Sequence, residues 1–101
     1  MKAETFAARA IGLLGRSSLA HGEGLWLEPC AAIHMFFMRF AIDTVFVDHD
    51  HLVTRALPNL RPWRLAAGGR RAVAALELPA GTIEASGTRE GDALQVEEFP
   101  G

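Results

Sequence analysis

The run HMFFMRFAIDTVFVD, residues 34–48, is the most apolar stretch of the chain, yet it holds an imidazole, a guanidinium and two carboxylates. Read as a strand over Ile42–Val47, it sends Ile42, Thr44 and Phe46 to one face and Asp43, Val45 and Val47 to the other. Asp43 then shares a face with two valines. A carboxylate in that setting needs a charge partner or several hydrogen bonds, because desolvation alone is very costly. His34 and Arg39 are the candidate partners near it in sequence, and Arg39 offers a bidentate pair. Asp43 with His34 could serve as the acid and base of a small enzyme. The plainer reading has Asp43 accepting backbone hydrogen bonds at a bend, with His34 a half-buried histidine and Phe37 and Met38 as core or cleft wall.

A second polar set lies between residues 58 and 71, where Arg61, Arg64, Arg70 and Arg71 supply four of the ten basic residues. With Trp63 between the first pair, the segment could hold a phosphate or carboxylate; the alternative is that these arginines cover the surface with their aliphatic stems. Gly68-Gly69 makes it adaptable but lacks the lysine and following helix of a phosphate loop. The DHDH run at 48–51 has the donor types of a metal site, but four consecutive residues in a turn rarely converge on one ion, and aspartate suits a turn for backbone reasons. Cys30, with no recognisable histidine base, reads as a buried small hydrophobe. No cofactor or metal is expected.

These residues need strands to hold them. Ile42–Val47 and HLVTRAL form a hairpin turning at Asp48 to His51; VAALEL is a strand, PAGTIEASG a helical turn or two ending at Gly87, and GDALQVEEF a last strand. LWLEPC is a short strand closed by Pro29, after a turn-like SSLAHGEG. Phe6, Ala10, Leu13 and Leu14 recur at helical spacing and predict an amphipathic helix over Thr5–Arg16. The segment from Pro58 to Arg71, with two prolines and two glycines, predicts a long ordered loop. Period-two placement assigns the core to Leu25, Leu27, Phe36, Ile42, Val45, Phe46, Val53, Val73, Leu76, Leu78, Leu94 and Val96. Connections too short for parallel crossovers predict a mostly antiparallel, barrel-like sheet with one or two short helices, an α+β, β-rich class.

The chain's 101 residues fit one domain, 1–101, with one core. An apolar share of 50% with 22% charged residues argues against disorder. Ten basic residues face twelve acidic ones, a formal net charge of -2, so nucleic acid is not an expected partner. One cysteine fits a reducing compartment. Glu4 and Arg9 interrupt the N-terminal apolar run, and Arg39, Asp43 and Asp48 cut the longest one, so neither export nor membrane insertion is expected. The location expected is cytoplasmic, and the state a monomer or weak homodimer.

In order and spacing, RAIGLLGRSSL with GEGLWLEPC, IHMFFMRFAIDTVFVD, PNLRPWRLA, AVAALELPAG and REGDAL together resemble the prokaryotic domain of unknown function 192 family, over about Arg9–Val96. Its recurrent positions correspond here to Arg9, Gly12, Leu13, Arg16 and Leu19, then Phe37, Met38, Ile42, Asp43, Phe46 and Asp48, then Leu76, Glu77, Gly81, Gly91 and Asp92. One departure is the hairpin turn, commonly Asp-Gly in such proteins and Asp50-His51 here. The resemblance implies a compact β-rich fold and no established activity. Three functional readings remain: a non-enzymatic binding or accessory domain for a small polar or anionic ligand, its cleft near Phe37, Met38 and Asp43 under Arg64 and Arg70; an enzyme using Asp43 and His34; or a protein-interaction module.

Overall fold

The strand predicted over Ile42–Val47 is the axis of the fold, and every one of its residues is buried. The structure, a computed structural model, describes residues 4–12, 22–35 and 40–98. In chain order these form β1 (Glu4–Gly12), β2 (Gly22–Glu28), β3 (Ala32–His34), β4 (Ile42–Val47), β5 (Val53–Leu60), β6 (Leu65–Ala67), β7 (Ala74–Pro79), α1 (Thr82–Ser86) and β8 (Leu94–Glu98). Six strands share one sheet in the order β5-β4-β7-β2-β1-β8, while β3 and β6 form a two-stranded ribbon. All pairings among the described residues are antiparallel. The sheet is not closed into a barrel: among the described residues its edges β5 and β8 are linked by no ladder, and an isolated bridge between Leu52 and Ala93 lies beside them. No helix among the described residues is long and apolar enough to cross a membrane.

Because β4 alternates, it divides the apolar interior in two. Val45 and Val47 pack with Trp26, Leu76, Ile83 and Leu94 on the face that carries α1. Ile42 and Phe46 pack with Ile33, Met35, Ala72 and Ala75 on the face that the ribbon covers. Gly68, at the end of β6, lies directly on the Phe46 ring: a β-carbon there would come within 2.3 Å of Phe46 Cγ. Only glycine lets the ribbon lie so close.

Three expectations need correction. The helix predicted over Thr5–Arg16 is instead the strand β1 as far as it is described, with seven residues paired to β2 and five to β8; residues 13–16 lie outside the described residues. Alanines suit either period, and the backbone ladders with two neighbouring strands override a weak local preference. The loop predicted from Pro58 contains the end of β5 and all of β6. Proline is tolerated there because β5 is an edge strand and bulges: the register steps from Thr44↔Leu57 to Ile42↔Leu60, leaving Pro58 and Asn59 opposite Asp43. In β2 the faces are reversed. Trp26 points into the core at 2% exposure while Leu25 is 39% exposed, since shifting a strand's assignment by one residue exchanges its faces. Ile42, Val45, Phe46, Val53, Leu76, Leu78 and Leu94 are buried as expected, and Phe36 lies outside the described residues.

Candidate functional site

Asp43 is wholly buried, at 0% exposure. Its carboxylate answers two backbone donors that the chain brings from far away. Oδ1 accepts the Asn59 N–H at 2.8 Å and Oδ2 accepts the Ile83 N–H at 2.7 Å. The first donor belongs to the β5 bulge, which has no ladder partner for it. The second belongs to the opening turn of α1, whose cap residue Gly81 has no side chain to offer and a φ of 98°. A helix start leaves N–H groups unpaired and attracts negative charge, so Asp43 caps from across the fold the helix that its own sequence does not cap. Both oxygens are thereby engaged in holding β5 and α1 to β4.

His34 sits in the ribbon, paired with Leu65, and the ribbon covers the face of the sheet opposite Asp43. Phe37, Met38 and Arg39 lie outside the described residues.

The four arginines part company. Arg61 and Arg64 follow Leu60, which pairs with Ile42 at the start of β4. Arg70 and Arg71 precede Ala74, which pairs with Val47 at its end, and Arg71 is close enough to Asp48 to act on its ionisation. The two pairs are therefore separated by the length of β4, roughly 17–20 Å at 3.3 Å per residue. Arg64, not Arg70, belongs with the ribbon and the start of β4.

That end presents an apolar surface that sequence alternation did not reveal. Phe40 is 64%, Trp63 60% and Leu65 71% exposed, with exposed Arg61 and Arg64 among them. Trp63 has a φ of 67°, in the left-handed region where a bulky L-residue is an outlier. Two hydrogen bonds hold it so: the Trp63 N–H donates to the Met35 carbonyl, and the Met35 N–H to the Arg64 carbonyl, each at 2.8 Å. Met35 itself is buried beside Ile42, so the turn is anchored to the core while the indole faces outward.

A third locus lies on the ribbon-covered face, where Thr44 and Glu77 are register partners. Burial pushes the Glu77 carboxyl above its ordinary value. Burial also pushes the Cys30 thiol up, and the negative charge of Glu77 acts in the same direction.

A model of the family DUF192, described as an uncharacterized ACR, matches residues 1–96. The chain belongs to this family. Among DUF192 relatives, a UPF0127 protein of Pyrococcus furiosus is 35% identical over 96 residues, covering 92% of this chain and 82% of its own length. A UPF0127 protein of Pyrococcus horikoshii is 33% identical over 96 residues, covering 92% and 83% respectively. A crystal structure of a protein of unknown function from Novosphingobium aromaticivorans matches with a TM-score of 0.70 at 15% identity, over 90% of this chain and 84% of that one; at that identity the likeness concerns the fold alone. The DUF192 family is uncharacterised, and membership brings no specific function with it.

The departure from the Asp-Gly turn of DUF192 proteins has a physical account. His51 adopts a φ of 62°, where glycine is the easier residue. Its ring packs edge-on against Trp26, with centroids 5.3 Å apart at 68°, a contact glycine would forgo. Asp48 Oδ1 accepts the Asp50 and Leu52 N–H groups at 2.8 and 3.0 Å, and His49 lies 3.4 Å from Asp50. The polar residues of the DHDH run thus serve the turn itself.

Proposed function

We propose that this chain is a non-enzymatic binding domain that takes a small anionic ligand with a planar or apolar part at the start of β4, between Arg61, Trp63 and Arg64. The observation that carries the reading is the turn that presents an indole 60% exposed together with the exposed guanidinium groups of Arg61 and Arg64. The turn is fixed to the core by its two hydrogen bonds with the backbone of buried Met35, so these three side chains are presented on a rigid base. The flanking guanidinium groups supply the charge-assisted bonds that a carboxylate or phosphate needs, and the indole supplies a stacking face. Arg70, at the other end of β4, takes no part. On this reading the chain works as one cytoplasmic domain, its sheet a barrel left open between β5 and β8, a monomer or weak homodimer that uses neither nucleic acid nor membrane; the net charge of -2 and single cysteine support that setting.

Titration with phenyl phosphate at low salt, followed by amide NMR, tests it. Shifts are expected in residues 61–65, with an affinity on the order of millimolar, since a few charge-assisted bonds must offset lost ligand freedom. Arg64→Ala and Trp63→Ala should abolish the shifts, and Arg70→Ala should leave them intact. Silence at residues 61–65, or shifts that persist in both Arg64→Ala and Trp63→Ala, overturns the proposal.

A further inference from the structure

On the face covered by the ribbon, the central strands carry two polar side chains, a hydroxyl and a carboxyl, that the described fold leaves uncompensated. Thr44 of β4 is wholly buried, and its hydroxyl has no hydrogen-bond partner among the described residues. A buried hydroxyl in that state carries its full desolvation cost, about 1–3 kcal/mol, where a valine of the same shape would carry none. Its cross-strand partner on β7 is Glu77, half-buried, with desolvation as the cause of its upward pKa displacement and no offsetting charge or hydrogen bond among the described residues. Glu77 in turn pairs with Leu25 of β2, which is 39% exposed. Leu57 of β5 flanks Thr44 on the other side. The row Leu57, Thr44, Glu77, Leu25 crosses four strands, and of its inner pair Glu77 is half-buried while Thr44 is wholly buried.

Among the described residues the row holds no cationic donor, and its one O–H, that of Thr44, is unused. Cross-strand partners on one face hold their β-carbons about 4.5–5.5 Å apart, and one nitrogen forming two bonds of about 2.8 Å spans acceptors up to about 5.6 Å apart. A group with one compact nitrogen and several N–H bonds therefore fits between the two. One carboxylate beside two leucines, a hydroxyl and the neighbouring Cys30 thiol offers too few hard oxygens for a divalent cation. We propose that Glu77 and Thr44 form a subsite for a primary alkylammonium, the charged head donating to the Glu77 carboxylate and the Thr44 hydroxyl and the aliphatic stem lying against Leu25. This inference is independent of the arginine end and stands or falls on Glu77.

The test is an amide NMR titration of the folded chain with n-butylammonium chloride, with n-butanol and tetramethylammonium as companions that lack, respectively, the charge and the N–H donors. Saturable shifts are expected at Leu25, Thr44 and Glu77 with n-butylammonium alone, at an affinity on the order of millimolar or weaker. Glu77→Gln should weaken binding at least about tenfold, which corresponds to about 1.4 kcal/mol. Thr44→Val, which removes an unpaired hydroxyl without changing shape, should keep or raise stability while weakening binding severalfold. Binding should also fade as the solution is acidified through the raised Glu77 pKa, because the neutral acid no longer attracts the head group. The inference is overturned if n-butylammonium leaves these amides unmoved, if n-butanol or tetramethylammonium reproduces the shifts, or if they survive Glu77→Gln.

Discussion

The two ends of β4 each carry an aspartate that accepts two backbone N–H groups, and they do opposite kinds of work. Asp43 is buried and draws its donors from 16 and 40 residues away. Asp48 faces solvent and draws its donors from two and four residues away. The same side chain with the same number of partners is a pin between three elements at one end and the closure of a single turn at the other. Whether a carboxylate matters to the whole fold depends on the sequence separation and dryness of its partners, not on how many it has.

Removing Asp43 should have the largest effect. Asp43→Ala leaves the Asn59 and Ile83 N–H groups unmet in a dry interior and is expected to cost about 2–4 kcal/mol in denaturant melts. At the other end, His51→Ala keeps the left-handed backbone while losing the edge contact with Trp26, for an expected loss of about 1 kcal/mol. Asp48→Ala should have the smallest effect. The Leu52 N–H first, then the Asp50 N–H, His49 and Arg71, hold the Asp48 carboxyl below its ordinary value of 3.8. Its contribution is therefore present above that pH and disappears as the solution is acidified through the lowered folded value, so parent and Asp48→Ala should converge in stability in acid. Equal losses at neutral pH for Asp43→Ala and Asp48→Ala would break the contrast between the two ends.

The local end was legible in the sequence and the long-range end was only half so. Alternation over Ile42–Val47, turn chemistry at Asp48 to His51, and Gly87 at the end of α1, with its φ of 72°, are encoded by neighbours a few residues apart. That Asp43 would accept backbone donors followed from its apolar face. Which donors did not, because nothing local links residue 43 to Asn59 or Ile83. The arginine segment failed in the same way: proximity in sequence grouped four residues that β6 carries to opposite ends of β4. The β1 error has another source, since ETFAARAIG contains too few large side chains for either period to dominate, and its strand identity comes from the β2 and β8 ladders. Thr44 and Glu77 stood within strands correctly read, but only cross-strand register reveals them as neighbours.

The capping of α1 by Asp43 also bears on the order in which structure forms and melts. A helix of five residues is far too short to persist by itself in water. Its first turn acquires its acceptor only after β4 has been laid down, across a loop of 40 residues, so α1 should consolidate late in folding and should depend on β4 for its protection from solvent hydrogen exchange. The amide of Ile83 would then exchange at the slow rate of the central strand rather than at the rate of a frayed helix end, a surface helical turn keeping the time of the core.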